Sequence, residues 1–325
     1  NTSPPRRAGP ARVTERAGGF AGIEKSQITV FTDETCKSCR FDSRNGKSCL
    51  FDAGLTPSGT MESMRAAFPS APDGSLDPRA RRMLVFEILI VLGLSLGRSG
   101  VYAVVELIEK ATEAPLGSQT TTLNPVLDEQ PWFDLTYQLL GIFFSLLPVA
   151  LVLYLLTEPG KSAFRRIGFT FARPVHDFLL GAGLAALICV GTLGVYAAGR
   201  ALGITTALVP AALDTYWWTL PVLILSALRH AVLEEVIVVG YLFLRLRQLG
   251  WSAPAIILTS ALIRASYHLY QGIGPGIGNF LMGLIFGFVY LKTKRVMPLV
   301  IAHALVDITG FVGFALFGPA IGIGN

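Results

Sequence analysis

The sequence has few charged residues, few histidines and few cysteines. Only 15% of its 325 residues are Asp, Glu, Lys or Arg, whereas 52% are hydrophobic and the mean hydropathy is +0.54. A soluble domain rarely has this balance. The formal net charge of +5 is modest, so no nucleic-acid partner is expected. The composition therefore predicts an all-α polytopic membrane protein.

Cysteine is too scarce to predict a disulfide framework or a metal site. Cys36, Cys39 and Cys49 form a C-x-x-C followed by a third cysteine. A structural zinc site needs four ligands, and no histidine precedes His176, so we expect reduced, unpaired thiols. Cys189 lies in an apolar segment, where it is expected to be a small core or lipid-facing residue.

Residues 1–82 also lack a sustained hydrophobic period and are rich in Pro, Gly, Ser and Arg. We expect a disordered N-terminal extension there and a membrane domain over 83–325. No apolar run in the first thirty residues resembles a secretory signal. Because the sequence opens on Asn, a fragment, a processed chain and an over-extended reading frame all stay open.

About seven apolar segments follow, each close to the roughly 20 residues needed to cross a bilayer. Their predicted bounds are 84–107, 133–156, 178–198, 220–244, 253–270, 277–291 and 297–317. An eighth, re-entrant helix is conceivable in 271–278 or 214–219, so the prediction is seven to eight transmembrane helices.

Positive charge is distributed unevenly between the loops. One set of loops carries Arg79, Arg81, Arg82, Lys161, Arg165, Arg166, Arg173, Arg245, Arg247, Lys292, Lys294 and Arg295. The other set carries Lys110 and, at a helix end, Arg200. The positive-inside rule predicts a cytoplasmic N-terminus and an external C-terminus.

Three of the apolar segments contain ionisable side chains well inside their ends. These residues are Glu234, Glu235, His268, His303 and Asp307. At 1.5 Å rise per residue they lie about 10–20 Å from the cytoplasmic ends of their spans. Buried ionisable groups in a membrane are costly and commonly functional. Their convergence predicts an active site inside the membrane.

Helical spacing suggests which side chains share a face. Three pairs of side chains are four residues apart and should therefore each share a helical face. They are His230–Glu234, Arg264–His268 and His303–Asp307. Glu234 and Glu235 are about 100° apart on a helix, so one carboxylate should face the site and the other a neighbouring helix or cation. We expect Arg229 and Arg264 to be counter-ions of these carboxylates and His230 to be structural.

The order Glu-Glu, His and His-x-x-x-Asp over residues 215–315 resembles the CPBP intramembrane protease family. This family, also called the CAAX-protease, bacteriocin-processing or Abi family, includes the type II CAAX prenyl endopeptidases. The sequence departs from the family pattern at three positions: Val239 stands where E-E-x-x-x-R has arginine, Arg264 where F-x-x-x-H has phenylalanine, and Asp307 where asparagine is commoner.

The resemblance implies an intramembrane endopeptidase that hydrolyses a peptide bond with activated water. Glu234 would be the general base, with Glu235 beside it, and His268 would hold the water. His303 and Asp307 would face the developing oxyanion. Glu234, His268, His303 and Asp307 would also make an acceptable Zn²⁺ set; metal-free chemistry is the slightly favoured alternative.

Asp307 has two possible roles. An asparagine could donate a hydrogen bond to an oxyanion, so Asp307 can do so only when it is protonated. An ionised Asp307 would instead orient His303 or bind a metal. We predict the protonated donor.

Two other classes of function are compatible with buried ionisable groups, namely a proton-coupled transporter and a catalytically inactive scaffold. No matching pair of interrupted segments favours a transporter, whereas Val239 gives the scaffold some support. The high Arg-to-Lys ratio indicates a GC-rich bacterial genome, and hence a bacterial plasma membrane. The expected partners are the lipid bilayer and a membrane-associated peptide or protein segment.

Overall fold

The computed structural model describes residues 76–317, which are mostly helical. The helices are α1 (Pro78–Gly93), α2 (Leu96–Glu113), α3 (Pro131–Ser145), α4 (Leu147–Leu156), α5 (Ala163–Ile167), α6 (Pro174–Ala201), α7 (Thr219–Glu234), α8 (Leu242–Gln248), α9 (Ala253–Ser266), α10 (Ile273–Thr293) and α11 (Met297–Phe317). A π-helical segment, Glu235–Tyr241, joins α7 to α8, and short 3₁₀ turns cover Leu116–Ser118 and Leu269–Gln271.

Only the last part of the predicted N-terminal extension lies within the described residues. The first helix begins at Pro78, five residues before the predicted boundary at 83. Asp77 caps this helix by accepting a hydrogen bond from the Arg79 backbone N–H, and Pro at the first helical position suits a helix start. The three cysteines Cys36, Cys39 and Cys49, and most of the predicted extension, lie outside the described residues.

Within residues 76–317, four helical segments are long and apolar enough to cross a membrane. They are Pro131–Leu156, which combines α3 and α4, together with α6, α10 and α11. A fifth is obtained if α1 and α2, which are bent by 56° at their junction, count as one span. The apolar helices and their lengths support an integral membrane protein.

Two of the predicted spans do not meet that criterion. The predicted span 220–244 is divided among α7, the π-helical segment and α8, and it carries the buried charges. The predicted span 253–270 ends early, because α9 stops at Ser266 after 14 residues. The predicted count of seven therefore does not follow from length and composition alone.

Neither candidate for an eighth helix forms a separate helix. Residues 214–218 have no regular structure before α7 begins at Thr219. Residues 273–278 are the first turns of α10, which starts four residues earlier than predicted. Gly272 makes this start possible, because its φ is +107° and a Cβ there would lie 2.8 Å from the Ile204 carbonyl oxygen.

The prediction of a purely helical protein is also corrected by a small parallel strand pair. Strands β1 (Thr120–Thr122) and β2 (Ala207–Val209) pair residue by residue. Lys110 ties this pair to the turn after α9, since its ammonium donates to Thr121 Oγ1 at 3.0 Å and to the Tyr270 carbonyl at 2.8 Å. Such short strands carry no recognisable period in the sequence.

The central packing surrounds the π-helical segment. Its residues from Glu235 to Tyr241 are all buried, and its apolar side chains, Val236 to Val239 and Tyr241, belong to the largest apolar core. Helix α9 packs closely along α10, and α11 packs along α6 and α7. Gly283 of α10 permits the close approach, because a Cβ there would lie 2.8 Å from the Ala261 Cα. This packing brings α7, α9 and α11 together.

The π-helical segment is a correction to the predicted uninterrupted helix. A π-helix uses i→i+5 hydrogen bonds and often marks a functional site. The Ser260 hydroxyl of α9 donates to the Val238 carbonyl oxygen at 2.9 Å, so a neighbouring helix satisfies a carbonyl within the segment. The segment begins at Glu235 and changes the direction in which that side chain leaves the helix.

Candidate active site

Buried ionisable side chains from three parts of the chain meet beside the π-helical segment. Glu234 ends α7, Glu235 begins the segment, Arg264 lies in the last turn of α9, and His303 lies in α11. All four are almost completely buried. We call this group, with Tyr267, the carboxylate cluster. The predicted convergence of separate helices is confirmed for these residues.

Arg264 binds both glutamates. Its Nη1 donates to Glu234 Oε2 at 3.1 Å, and its Nη2 donates to Glu235 Oε1 at 2.6 Å. The guanidinium also lies 5.5 Å from the centroid of the Phe286 ring. The predicted role of Arg264 as a counter-ion is confirmed, and it extends to both carboxylates. A planar guanidinium suits this task, because its donors point in fixed directions.

Glu235 also holds His303. The Nδ1 of His303 lies 2.7 Å from Glu235 Oε1, the oxygen that already accepts from Arg264. The other oxygen, Glu235 Oε2, is buried without a hydrogen-bond partner in the described part of the chain. This contact requires a proton on Nδ1, so it fixes the ring and turns Nε2 away from Glu235.

Tyr267 is a member of the cluster that the sequence interpretation missed. Its hydroxyl donates to Glu234 Oε2 at 2.8 Å, and the residue is 5% exposed. Glu234 Oε2 thus accepts from both Tyr267 and Arg264. Its position directly before His268 could have indicated its role, because a buried tyrosine hydroxyl needs a hydrogen-bond partner.

His268 lies beyond the helix that was predicted to contain it. Because α9 ends at Ser266, His268 follows a turn and does not share a helical face with the Arg264 side chain. Its Nδ1 is 2.9 Å from the Arg264 backbone carbonyl oxygen, and its ring is 4.8 Å from that of Tyr267. Only a donor can pair with a carbonyl, so Nε2 is the acceptor in the neutral ring.

Asp307 lies between two imidazoles. Its Oδ2 is 3.6 Å from His303 Nε2 and 3.9 Å from His230 Nδ1. Both distances are too long for hydrogen bonds but suit charge interactions. The predicted proximity of His303 and Asp307 on α11 is confirmed. Within residues 76–317, Asp307 makes no hydrogen bond, and its side chain is 20% exposed.

Within residues 76–317 Arg229 forms no direct ion pair with a carboxylate, which corrects its predicted role as a contacting counter-ion. Its Nη2 donates to Ser226 Oγ at 3.3 Å and lies 2.5 Å from His230 Nε2. Arg229 precedes Glu234 by five residues, so the two side chains leave α7 about 140° apart. His230 is held between Arg229 and Asp307. Within residues 76–317 no hydrogen bond or ion pair joins it to Glu234, although the spacing gives both one helical face.

The donor geometry only partly fits a metal ion. Among the described residues, three donors that lie within 4.8 Å of one another belong to Glu234, Glu235 and His303. Two of these, Glu234 and His303, are in the predicted zinc set, which has His268 and Asp307 in place of Glu235. Arg264 already places its guanidinium on both carboxylates, so a divalent cation would have to compete with this charge.

A cavity of about 390 Å³ borders the cluster. Tyr267 and Tyr270 form one wall, and the residues of α2 between Arg98 and Glu106 form the other. Because the Tyr267 hydroxyl contacts Glu234 on its far side, this tyrosine separates the cavity from the buried carboxylate. The cavity therefore lies beside the cluster, with Tyr267 between the two.

The fold and the site define a helical membrane protein with a buried glutamate–arginine–histidine cluster. Residues 216–309 match the family model described as "Type II CAAX prenyl endopeptidase Rce1-like". This match covers the carboxylate cluster, His268 and Asp307, and it confirms the resemblance inferred from the motifs. No curated protein and no solved structure significantly matches the chain.

Proposed function

We propose that the protein is an intramembrane endopeptidase that cleaves a membrane-associated peptide with water activated by Glu234. The observation that carries this proposal is the carboxylate cluster, assembled from separate helices inside the segment that matches the Rce1-like family. A bilayer protein has no simple structural reason to bury two adjacent carboxylates.

Glu234 is the proposed general base. Arg264 and Tyr267 both bind its Oε2, which leaves Oε1 to accept a proton from water. The resulting hydroxide attacks the peptide carbonyl carbon and produces a tetrahedral oxyanion. The proton then passes to the leaving nitrogen as the C–N bond breaks. General bases of this kind typically contribute about 10²–10⁴-fold to a rate.

His268 and His303 have different proposed tasks. His268 keeps its Nδ1 proton on the Arg264 carbonyl, so its Nε2 can accept a hydrogen bond from the attacking water. His303 is anchored through Nδ1 to Glu235, so as the imidazolium it can donate from Nε2 to the oxyanion, and the neighbouring Asp307 can donate to it when protonated. Glu235 is therefore a positioning residue in this scheme.

The chemistry is proposed to proceed without a metal, because Arg264 neutralises the carboxylates that a cation would need. Chelator treatment of the purified protein tests this point. Activity that survives chelation supports the proposal. Loss of activity on chelation, restored by added Zn²⁺, would contradict it.

The proposed substrate is a peptide or membrane-protein segment rather than a solute. The decisive experiment reconstitutes the full chain into liposomes together with membrane proteins and identifies new peptide N-termini by mass spectrometry. Glu234→Gln should produce none of them. Glu109→Gln is a matched control, because Glu109 is exposed on α2. Identical termini from wild type and Glu234→Gln would remove the basis for proteolysis.

We also propose seven spans with a cytoplasmic N-terminus. The predicted spans 220–244 and 253–270 are not counted by helix length, because the first is divided among three helical segments and α9 ends after 14 residues. The basic loops still alternate along the chain. Single cysteines in 161–173 and in 120–129, in a cysteine-free background, should react with impermeant reagents from opposite sides. Reaction from one side would contradict this topology.

A further inference from the structure

A second cavity, of about 520 Å³, lies where α8, α9 and α10 come together. None of the residues that line it belongs to the carboxylate cluster. It is near the C-terminal end of α10 and the N-terminal end of α9, both of which carry the basic loops. The proteolytic proposal gives this cavity no role.

The charged residues that line the cavity are all cations. They are Arg166, Arg247 and Lys294, and no acidic side chain lines it with them. Arg166 Nη1 is 2.9 Å from Glu158 Oε1, so that charge is partly neutralised. Arg247 and Lys294 are exposed, and within residues 76–317 no carboxylate lies in ion-pair distance of either. The cavity therefore attracts anions.

The interior of the same cavity is apolar. Phe243 and Ile256 are buried in its wall, and Leu244 and Leu291 are partly buried there. Trp251 is 42% exposed at its edge. Tryptophan commonly lies at the level of lipid headgroups. A ligand with a negative head and a hydrocarbon body would satisfy both parts of the lining, whereas a free phosphate would leave the apolar part uncovered.

We propose that this cavity binds an anionic glycerophospholipid, with its phosphate between Arg247 and Lys294 and an acyl chain against Phe243 and Leu291. Basic pockets between transmembrane helices on the cytoplasmic side commonly bind such headgroups. Arginine forms two parallel bonds to phosphate oxygens, and lysine adds a point charge.

Binding at this position links the lipid to the π-helical segment. Helix α8 continues directly from that segment, and the Phe243 ring packs at 5.3 Å, edge-on, against Tyr290 of α10. A lipid in the cavity contacts α8, α9 and α10 at once, so it stabilises their mutual packing. Ligands that bind only the folded state raise thermal stability.

The test measures the thermal stability of the purified full chain in detergent with added phosphatidylglycerol, phosphatidylcholine or glycerol 3-phosphate. Phosphatidylglycerol should raise Tm, and the other two should not. In Arg247→Gln/Lys294→Gln the apparent affinity for phosphatidylglycerol should fall about thirtyfold, or ~2 kcal/mol, from two headgroup charges.

Two controls make the result specific. Arg81→Gln/Arg82→Gln removes the same charge from exposed positions on α1 and should leave the lipid effect unchanged. Arg247→Lys/Lys294→Arg keeps the charge and should retain most of the stabilisation by phosphatidylglycerol. Equal stabilisation by phosphatidylcholine, an equal loss in the α1 variant, or full stabilisation by glycerol 3-phosphate would each overturn the proposal.

Discussion

Two buried arginine–carboxylate groups in this protein use the same chemistry but leave different atoms available. In the first group, Asp177 lies in the first turn of α6 and Arg295 lies between α10 and α11. Arg295 Nε donates to both oxygens of Asp177, at 2.9 and 3.1 Å. Its Nη2 donates to Asp177 and to the Thr170 carbonyl oxygen. In the carboxylate cluster, Arg264 Nε and Glu235 Oε2 have no hydrogen-bond partner among the described residues.

This difference distinguishes an ion pair whose hydrogen-bonding atoms all have partners from a site with unused donors and acceptors. The Asp177–Arg295 group ties the start of α6 to the connection between α10 and α11, and the carboxylate raises the pKa of Arg295. Its hydrogen-bonding atoms are used. Buried polar atoms without partners are costly, so the carboxylate cluster keeps hydrogen-bonding atoms that the Asp177–Arg295 group has already used.

The largest expected effect comes from exchanging carboxylates for amides in the two groups. Glu234→Gln should lower peptide cleavage by about 10²–10⁴-fold, because an amide cannot accept a proton from water. Asp177→Asn should leave the turnover of the folded protein unchanged and lower its stability. Turnover and thermal unfolding of both variants measure the contrast. Loss of turnover in folded Asp177→Asn would contradict the purely structural role of the Asp177–Arg295 group.

The next largest effect is expected on stability, when Arg264 is removed from the carboxylate cluster. Arg264→Ala strands two buried carboxylates and should cost about 3–5 kcal/mol. Adding Val239→Arg, which restores the family's arginine position, should recover part of this loss. Arg295→Ala should cost less, because Arg295 is 12% exposed. Denaturant unfolding in detergent measures all three. No recovery by Val239→Arg would show that Arg264 does not replace the motif arginine.

Removing one hydroxyl from the cluster should have a smaller effect. Tyr267→Phe deletes the hydrogen bond to Glu234 Oε2 and should reduce kcat by about tenfold, since a bond to a charged group contributes ~1.5 kcal/mol. Tyr270→Phe is the control, because Tyr270 lines the same cavity but, among the described residues, its hydroxyl bonds Gln271 and not Glu234. An equal decrease in both variants would assign the effect to the cavity wall.

The smallest effect is expected for Asp307→Asn. If Asp307 is a protonated donor, the amide replaces it, so the variant should keep activity within about threefold of wild type. Activity should also extend to higher pH, because the amide has no proton to lose. A pH–rate profile checks both points. An inactive variant, with a chelator-sensitive wild type, would instead assign Asp307 to a metal.

The sequence was sufficient to predict most residues of the candidate site but few of their contacts. The motifs identified Glu234, Glu235, His303 and Arg264, because a bilayer selects against ionisable groups that have no partner. Tyr267 was missed, since a tyrosine in an apolar segment looks like ordinary packing. The counter-ion role of Arg229 was wrong because a difference of five positions places it on another side of α7.

The sequence by itself determined the helical membrane character, the order of the motif residues and the family resemblance, since these depend on hydropathy, spacing and residue type. Only the tertiary structure decided that Arg264 binds both glutamates, that Glu235 holds His303, and that α9 ends before His268. These contacts depend on the packing of α7, α9 and α11 and on the π-helical segment at Glu235. A π-helical turn changes side-chain direction through backbone hydrogen bonding with a different period, and no local pattern of residues specifies which neighbouring helix will stabilise it.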